Sequence, residues 1–202
     1  MDITSKNKDF TLIARDCVGG VLYHQFKLKF QSPTINLFFE PEDFNVFCLN
    51  LKEYLEGKII EMTDTGLDYP VGVILPKKNA QVHKPVKVHF MHYSSFKEAL
   101  KAWNRRKRRI NWDNIYVLST MCYPKETATI NSGLISDWNK ISYPKVMLVN
   151  QKYGFDDEFV INKPKECDEY AWLLYSPDKS NPEKRVFNEF DFIYFLNNKK
   201  DE

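Results

Sequence analysis

The chain has 202 residues, a formal charge of +2, 28% charged residues and 43% hydrophobic residues, with aromatics at 15% and only seven glycines. This profile excludes a disordered or low-complexity chain and supplies enough apolar material for one α/β domain spanning 1–202. The near-neutral charge asks for no nucleic-acid partner, and any basic patch must be local.

Cys17, Cys48, Cys122 and Cys167 are widely spaced and form no CxxC pair. A disulfide framework or zinc site would show paired spacing, so reduced thiols and a cytoplasmic setting are expected, with no metal site. The N-terminus lacks an apolar signal core, and no run approaches the ~20 apolar residues of a membrane span. Contact with a membrane would be peripheral, from the aqueous side.

In chain order, Phe10–Ala14 reads as a buried strand that meets a tight turn at Asp16-Cys17-Val18-Gly19-Gly20. A helix is expected from the glycines through Val21, Leu22, Tyr23 and Phe26, broken by Ser32-Pro33-Thr34. Residues 43–55 place Phe44, Phe47, Cys48, Leu51, Tyr54 and Leu55 on one helical stripe, and Gly57 closes it. Strands are expected over Tyr69–Leu75, Val86–Phe90, Asn114–Leu118 and Lys145–Val149. Ser95 and Glu98 form a capping box that opens a helix through Ala99, Leu100 and Trp103. Further helices are expected over 125–140 and 187–196, and residues 150–181 read as an irregular cap or a small added sheet. Alternating strands and helices predict a three-layer, Rossmann-like fold: a mostly parallel sheet, helices on both faces, and an irregular C-terminal part.

Ligands of open parallel sheets bind beyond the carboxyl ends of the strands. Three features fall there. At the first, the turn around Cys17, a helix N-terminus would lower a thiol pKa and present the amides at Gly19 and Gly20 to an anion. The same residues also read as a buried small side chain and packing glycines, which spacing alone favours. The second is His92-Tyr93, where His92 suits a general base, a hydrogen bond to a ligand, or a packed or surface histidine. The third is the run Arg105 to Arg109, which suits phosphate recognition, dipole compensation at a helix end or a solvated face. A nuclear-localisation reading of this run is weak. No GxGxxG, P-loop, GxSxG or DxD pair occurs.

Cys17-Val18-Gly19-Gly20 with Tyr23, then Ser32-Pro33-Thr34, His92-Tyr93, Trp103 with Arg106, and Arg109-Ile110-Asn111 together resemble a bacterial family, domain of unknown function 1919. Its members are often labelled exopolysaccharide or capsule biosynthesis proteins. The resemblance runs from about Phe10 to about Val149. Family members often carry Asn before the cysteine, where this chain has Asp16. The resemblance implies an α/β fold, surface-glycan biosynthesis and a bacterial cytoplasm, and it raises Cys17 and His92 above background.

The leading expectation is a transferase that moves an acyl group onto a saccharide or lipid-linked saccharide. Cys17 would be the nucleophile, His92 the base, and the amides after Cys17 the oxyanion donors. Gly19, Gly20, Tyr23, Ser32, Thr34, Tyr93, Arg106, Arg109 and Asn111 are expected to bind ligand. Arg106 and Arg109 would face the crevice and hold a phosphorylated donor such as coenzyme A, while Arg105, Lys107 and Arg108 face solvent. The alternatives are a glycosyl- or glycosyl-phosphate transferase using Asp16, Asp113 or Asp156, and a non-catalytic glycan-binding or scaffold protein.

Overall fold

The computed structural model describes residues 7–165 and 172–198. Cys167 lies outside the described residues. The element order is β1 (Thr11–Ala14), α1 (Val18–Gln25), α2 (Pro41–Leu49), α3 (Leu51–Leu55), β2 (Lys58–Met62), β3 (Val71–Leu75), β4 (Val86–His89), α4 (Phe96–Lys107), β5 (Ile115–Met121), α5 (Pro124–Thr127), α6 (Ser132–Asn139), β6 (Lys145–Val149), β7 (Glu158–Val160) and α7 (Phe192–Asn197), with 3-10 turns at Trp172–Leu174 and Val186–Glu189.

These strands form two sheets. One is parallel, ordered β1-β5-β6-β7; the other is an antiparallel meander, β2-β3-β4. The α/β class holds, but a mostly parallel sheet describes only the first of the two. The sequence reading assigns no element to Lys58–Met62. Its Ile59 is buried and its Ile60 exposed, as in a strand with one wet face. β7 falls inside the segment expected to be an irregular cap or a small added sheet, and it extends the parallel sheet by one strand instead of forming a separate one.

Phe38 and Phe39 join the two sheets. Phe38 exchanges both backbone hydrogen bonds with His89 at 2.9 Å, and the Phe39 amide donates to the Arg15 carbonyl at 3.0 Å. Strand alternation divides the core. Ile13, Ile115, Val117, Met147 and Val149 meet Phe47, Trp103, Leu134 and Trp138, together with Ile74, Val86 and Val88 of the meander. Leu12, Ala14, Tyr116, Leu118, Val146 and Leu148 meet Val18, Leu22 and Tyr23 on one side and Phe187, Phe192 and Leu196 of the tail. Each large apolar side chain buried in this way contributes about 1.5–3 kcal/mol.

Polar side chains cut several expected helices. The stripe over 43–55 is two helices, because Asn50 (φ −130°, ψ 40°) leaves the helical region between α2 and α3. The helix expected over 125–140 breaks at Asn131, whose Oδ1 accepts the Leu134 amide at 2.9 Å and restarts the chain as α6. The tail breaks likewise at Asp191, which caps α7 through the Tyr194 amide. Ser95 caps α4 as expected, accepting from the Glu98 amide at 3.3 Å, but the Glu98 carboxylate turns to the Ser94 hydroxyl. Among the described residues, no helix is long and apolar enough to cross a membrane.

Candidate functional site

The chain leaves the carboxyl end of β1 through Arg15, Asp16 and Cys17 and turns at once into α1. Gly19 permits the sharpness of this turn. A Cβ there would lie 2.3 Å from the Cβ of Ala14, so only glycine lets the helix fold back against the strand it has left. A Cβ on Gly20 would meet Ile35 at 3.3 Å and Asn36 at 3.4 Å, so the 34–36 segment forms one wall beside α1. The opposing residue arrives from the other sheet. His92, three positions beyond β4, brings its Nε2 to 3.1 Å from the Cys17 Sγ. Residues 75 positions apart thus form a thiol–imidazole pair at a strand end, with Cys17 partly buried and His92 exposed.

Behind Cys17 lies a buried charged network that sequence reasoning misses. Arg15, 3% exposed, donates to the Phe39 carbonyl at 3.1 Å, to the Thr120 hydroxyl at 2.8 Å and to Glu126, and stands 3.4 Å from Asp16. Asp16 accepts the Thr120 hydroxyl at 2.6 Å on one oxygen and the Val18 amide at 3.0 Å on the other. Glu126 accepts the amides of Cys122 and Tyr123. The only sequence signals were a cation closing an apolar strand at Arg15 and Ser119-Thr120 interrupting another.

The helix N-terminus does not lower the thiol pKa, as the spacing suggested. Burial, with the Asp16 carboxylate second, pushes Cys17 up to about 12, against the smaller opposing pull of Arg15. Cys17 therefore rests as a thiol in hydrogen-bond contact with the His92 imidazole. The first amide of α1, Val18 N–H, is already held by Asp16. Gly19 and Gly20 supply the remaining first-turn amides, which by helix geometry have no partner within the helix.

The other expected ligand residues do structural work. Tyr23 donates to the Phe10 carbonyl at 3.0 Å and accepts the Leu12 amide at 3.1 Å, pinning α1 to β1. Thr34 Oγ1 accepts the Ala14 amide at 2.9 Å and pairs with Ser32 Oγ at 3.0 Å; both side chains are buried. Tyr93 donates to the Ile35 carbonyl at 3.1 Å. Arg106 is buried and does not extend freely into the crevice: it donates to that same carbonyl at 2.8 Å and to the Tyr93 hydroxyl at 2.6 Å, and it lies 4.9 Å from the Phe30 ring centroid. Arg109 donates to the Phe30 carbonyl at 3.1 Å, and Asn111 ties its side chain to Asp9 and its amide to Thr11. Arg109 and Asn111 thus sit toward the amino ends of β1 and β5, opposite Cys17. Lys107, expected in solvent, donates to the Leu55 carbonyl at 2.7 Å and so caps α3, while Arg105 and Arg108 are exposed as expected.

The carboxylates of the glycosyl-transfer alternative do not converge. Asp16 lies at the carboxyl end of β1, whereas Asp113 precedes β5 and Asp156 precedes β7, at the amino ends of parallel strands. Among the described residues, no group of three or more His, Cys, Asp or Glu side chains could hold a metal ion.

The chain matches the family described as Domain of unknown function (DUF1919) over residues 2–197, and it belongs to that family. The match continues past Val149 through the tail that closes the second core. An uncharacterized protein of Haemophilus influenzae strain Rd is similar to it, at 24% identity over 202 residues, covering 95% of this chain and 85% of that one.

Proposed function

We propose that this member of the family is a transferase that passes an acyl group through Cys17 to a hydroxyl of a surface saccharide or its lipid-linked precursor. The observation that carries the chemistry is the 3.1 Å contact between Cys17 Sγ and His92 Nε2 at the carboxyl end of β1. The saccharide acceptor follows from the family resemblance. The donor we assign is a thioester such as acyl-coenzyme A. We read the parallel half as a three-layer, Rossmann-like unit, with the whole chain one domain working on the aqueous, cytoplasmic side of a membrane.

In the first step Cys17 Sγ bonds to the donor's carbonyl carbon while its proton passes to His92 Nε2. The oxyanion faces the first turn of α1, whose Gly19 and Gly20 amides have no partner within the helix. Collapse breaks the donor's C–S bond, and the departing thiolate takes the proton from the imidazolium. In the second step His92 accepts the proton of the acceptor hydroxyl as its oxygen attacks the thioester on Cys17. Collapse breaks the C–Sγ bond, the acyl group leaves as an ester, and the Cys17 thiolate takes the proton back from His92. With the thiol near 12, this course requires His92 to remove the proton as the bond forms, as with a hydroxyl nucleophile. Arg106 and Arg109 hold the wall over residues 30–35, so the donor's phosphates need other partners.

Incubation with acetyl-coenzyme A, followed by intact and peptide mass spectrometry, tests the reading. The protein should gain one acetyl group on Cys17, Cys17→Ala should gain none, and His92→Ala should acylate about 10²–10⁴-fold more slowly. Absence of any Cys17 adduct with short-chain acyl thioesters would sink the proposal.

A non-catalytic glycan-binding role is the second reading. The observation favouring it is the same high thiol beside Asp16. It expects acetyl-coenzyme A to leave Cys17 unmodified while saccharides raise the melting temperature.

A further inference from the structure

In a serine-type triad the carboxylate orients the imidazole. In this protein the carboxylate stands on the nucleophile's side instead. Asp16 adjoins Cys17 in the chain, and its two oxygens are fixed by the Val18 amide and the Thr120 hydroxyl. The one buried cation beside it, Arg15, is shared with Glu126. Two carboxylates around one guanidinium leave a net negative charge behind the thiol. Asp16 and Glu126 each keep under a fifth of their side-chain surface exposed, so water screens this charge less than it would on an open surface. Glu40 adds a further anion acting on Arg15.

We propose that Asp16, with Glu126 offsetting Arg15, makes the Cys17–His92 site selective for electrophiles whose reacting end is uncharged and excludes those carrying an anion next to the reacting carbon. The proposal rests on the transferase reading and names its donor class: simple acyl groups such as acetyl are accepted, and short dicarboxylic ones such as malonyl, whose carboxylate sits one carbon from the reacting carbonyl, are rejected. An anion within about 6 Å of Asp16, at the effective dielectric of a half-buried site, meets repulsion equivalent to tenfold or more in rate. The raised Cys17 thiol agrees: burial is the main cause, and the same carboxylate adds to it.

Iodoacetamide and iodoacetate form a matched probe pair. In each case sulfur displaces iodide from a CH₂ group and the thiol proton passes to His92 or water; only the probe's charge differs. The rate of Cys17 modification is followed by peptide mass spectrometry on the full chain, with glutathione as the reference thiol. The iodoacetamide-to-iodoacetate ratio at Cys17 should exceed the glutathione ratio about tenfold or more. Asp16→Asn, which keeps an acceptor for the Val18 amide, should bring it to within about threefold of glutathione, and Glu126→Gln should lower it further than Thr120→Val does. Added salt should shrink the wild-type ratio, a reading that needs no variant to fold. A wild-type ratio equal to that of glutathione, or one unmoved by both Asp16→Asn and salt, overturns the proposal. This alkylation is read whether or not an acyl-enzyme forms. Charge discrimination without an acetyl adduct would remove the transferase reading alone; an adduct without discrimination would remove this inference alone.

Discussion

Gly19 packs against Ala14 so closely that a methyl group on the glycine would stand 2.3 Å from the alanine's own Cβ. The helix carrying the candidate nucleophile is therefore seated by a missing side chain. Gly19→Ala should cost about 3 kcal/mol, the upper range for overpacking, whereas Gly20→Ala, with its nearest contact at 3.3 Å, should cost under about 1 kcal/mol. Urea denaturation of both, and of the Ala14→Gly/Gly19→Ala double variant, checks this. The double variant should recover most of the loss, and a loss that persists would place the strain elsewhere.

The arginine run should divide by hydrogen bonding rather than by distance from the site. Arg106→Ala removes bonds to Ile35 and Tyr93 and a ring contact with Phe30, and should destabilise by about 2–3 kcal/mol. Arg109→Ala loses one carbonyl contact and should cost about 1 kcal/mol. Exposed Arg105→Ala should stay within about 0.5 kcal/mol. Thermal melts give the ranking, and equal small shifts across the three would contradict it.

Cys17 should be slow toward alkylating reagents near neutral pH and should keep accelerating past pH 10. With the thiol near 12, only about 1 in 10⁵ molecules carries the thiolate at pH 7. Iodoacetamide rates measured from pH 6 to 10.5 by peptide mapping test this. A rate that is half-maximal near pH 8.5 and level above about pH 9.5, as for an ordinary thiol, would show that burial and Asp16 do not govern the group.

His89 predicts an acid limb in stability. It is buried, stacks on Phe38 at 4.3 Å, and its Nε2 has no hydrogen-bond partner. Burial holds its pKa below the usual 6.5. Lys87 also opposes the charge, while Glu40 and Asp43 favour it. Because the folded value is depressed, the full contribution is present above about pH 6.5 and is lost as pH falls through the folded value. The melting temperature should drop between pH 7 and pH 5, and His89→Phe should flatten that drop. An unchanged slope in the variant would assign the limb to other groups.

Where a pattern was short and periodic, the elements were legible. Lys145–Val149 is β6 to the residue, and Ser95 opens α4. The helical stripe over 43–55 did not disclose the break at Asn50. Periodicity records which side faces the core, and both halves face the same one. Lys58–Met62 hid because only one of its faces is buried and its partner, β3, supplies the apolar contacts.

The sequence alone determined the class of fold and the strand-to-helix turn at Asp16–Gly20, since local propensity decides those, and the family resemblance within it singled out Cys17 and His92 as the residues worth pairing. Tertiary structure decided that Arg106, Arg109, Tyr23, Ser32, Thr34 and Asn111 bond to the protein's own backbone or to one another, and that Arg15, Thr120 and Glu126 close around Asp16. Side chains from distant segments converge through strand pairing, which brings Arg15 beside Leu118 and Phe39 beside Arg15. A buried donor then bonds to whichever acceptor the fold places within about 3 Å of it, a choice that no local pattern encodes.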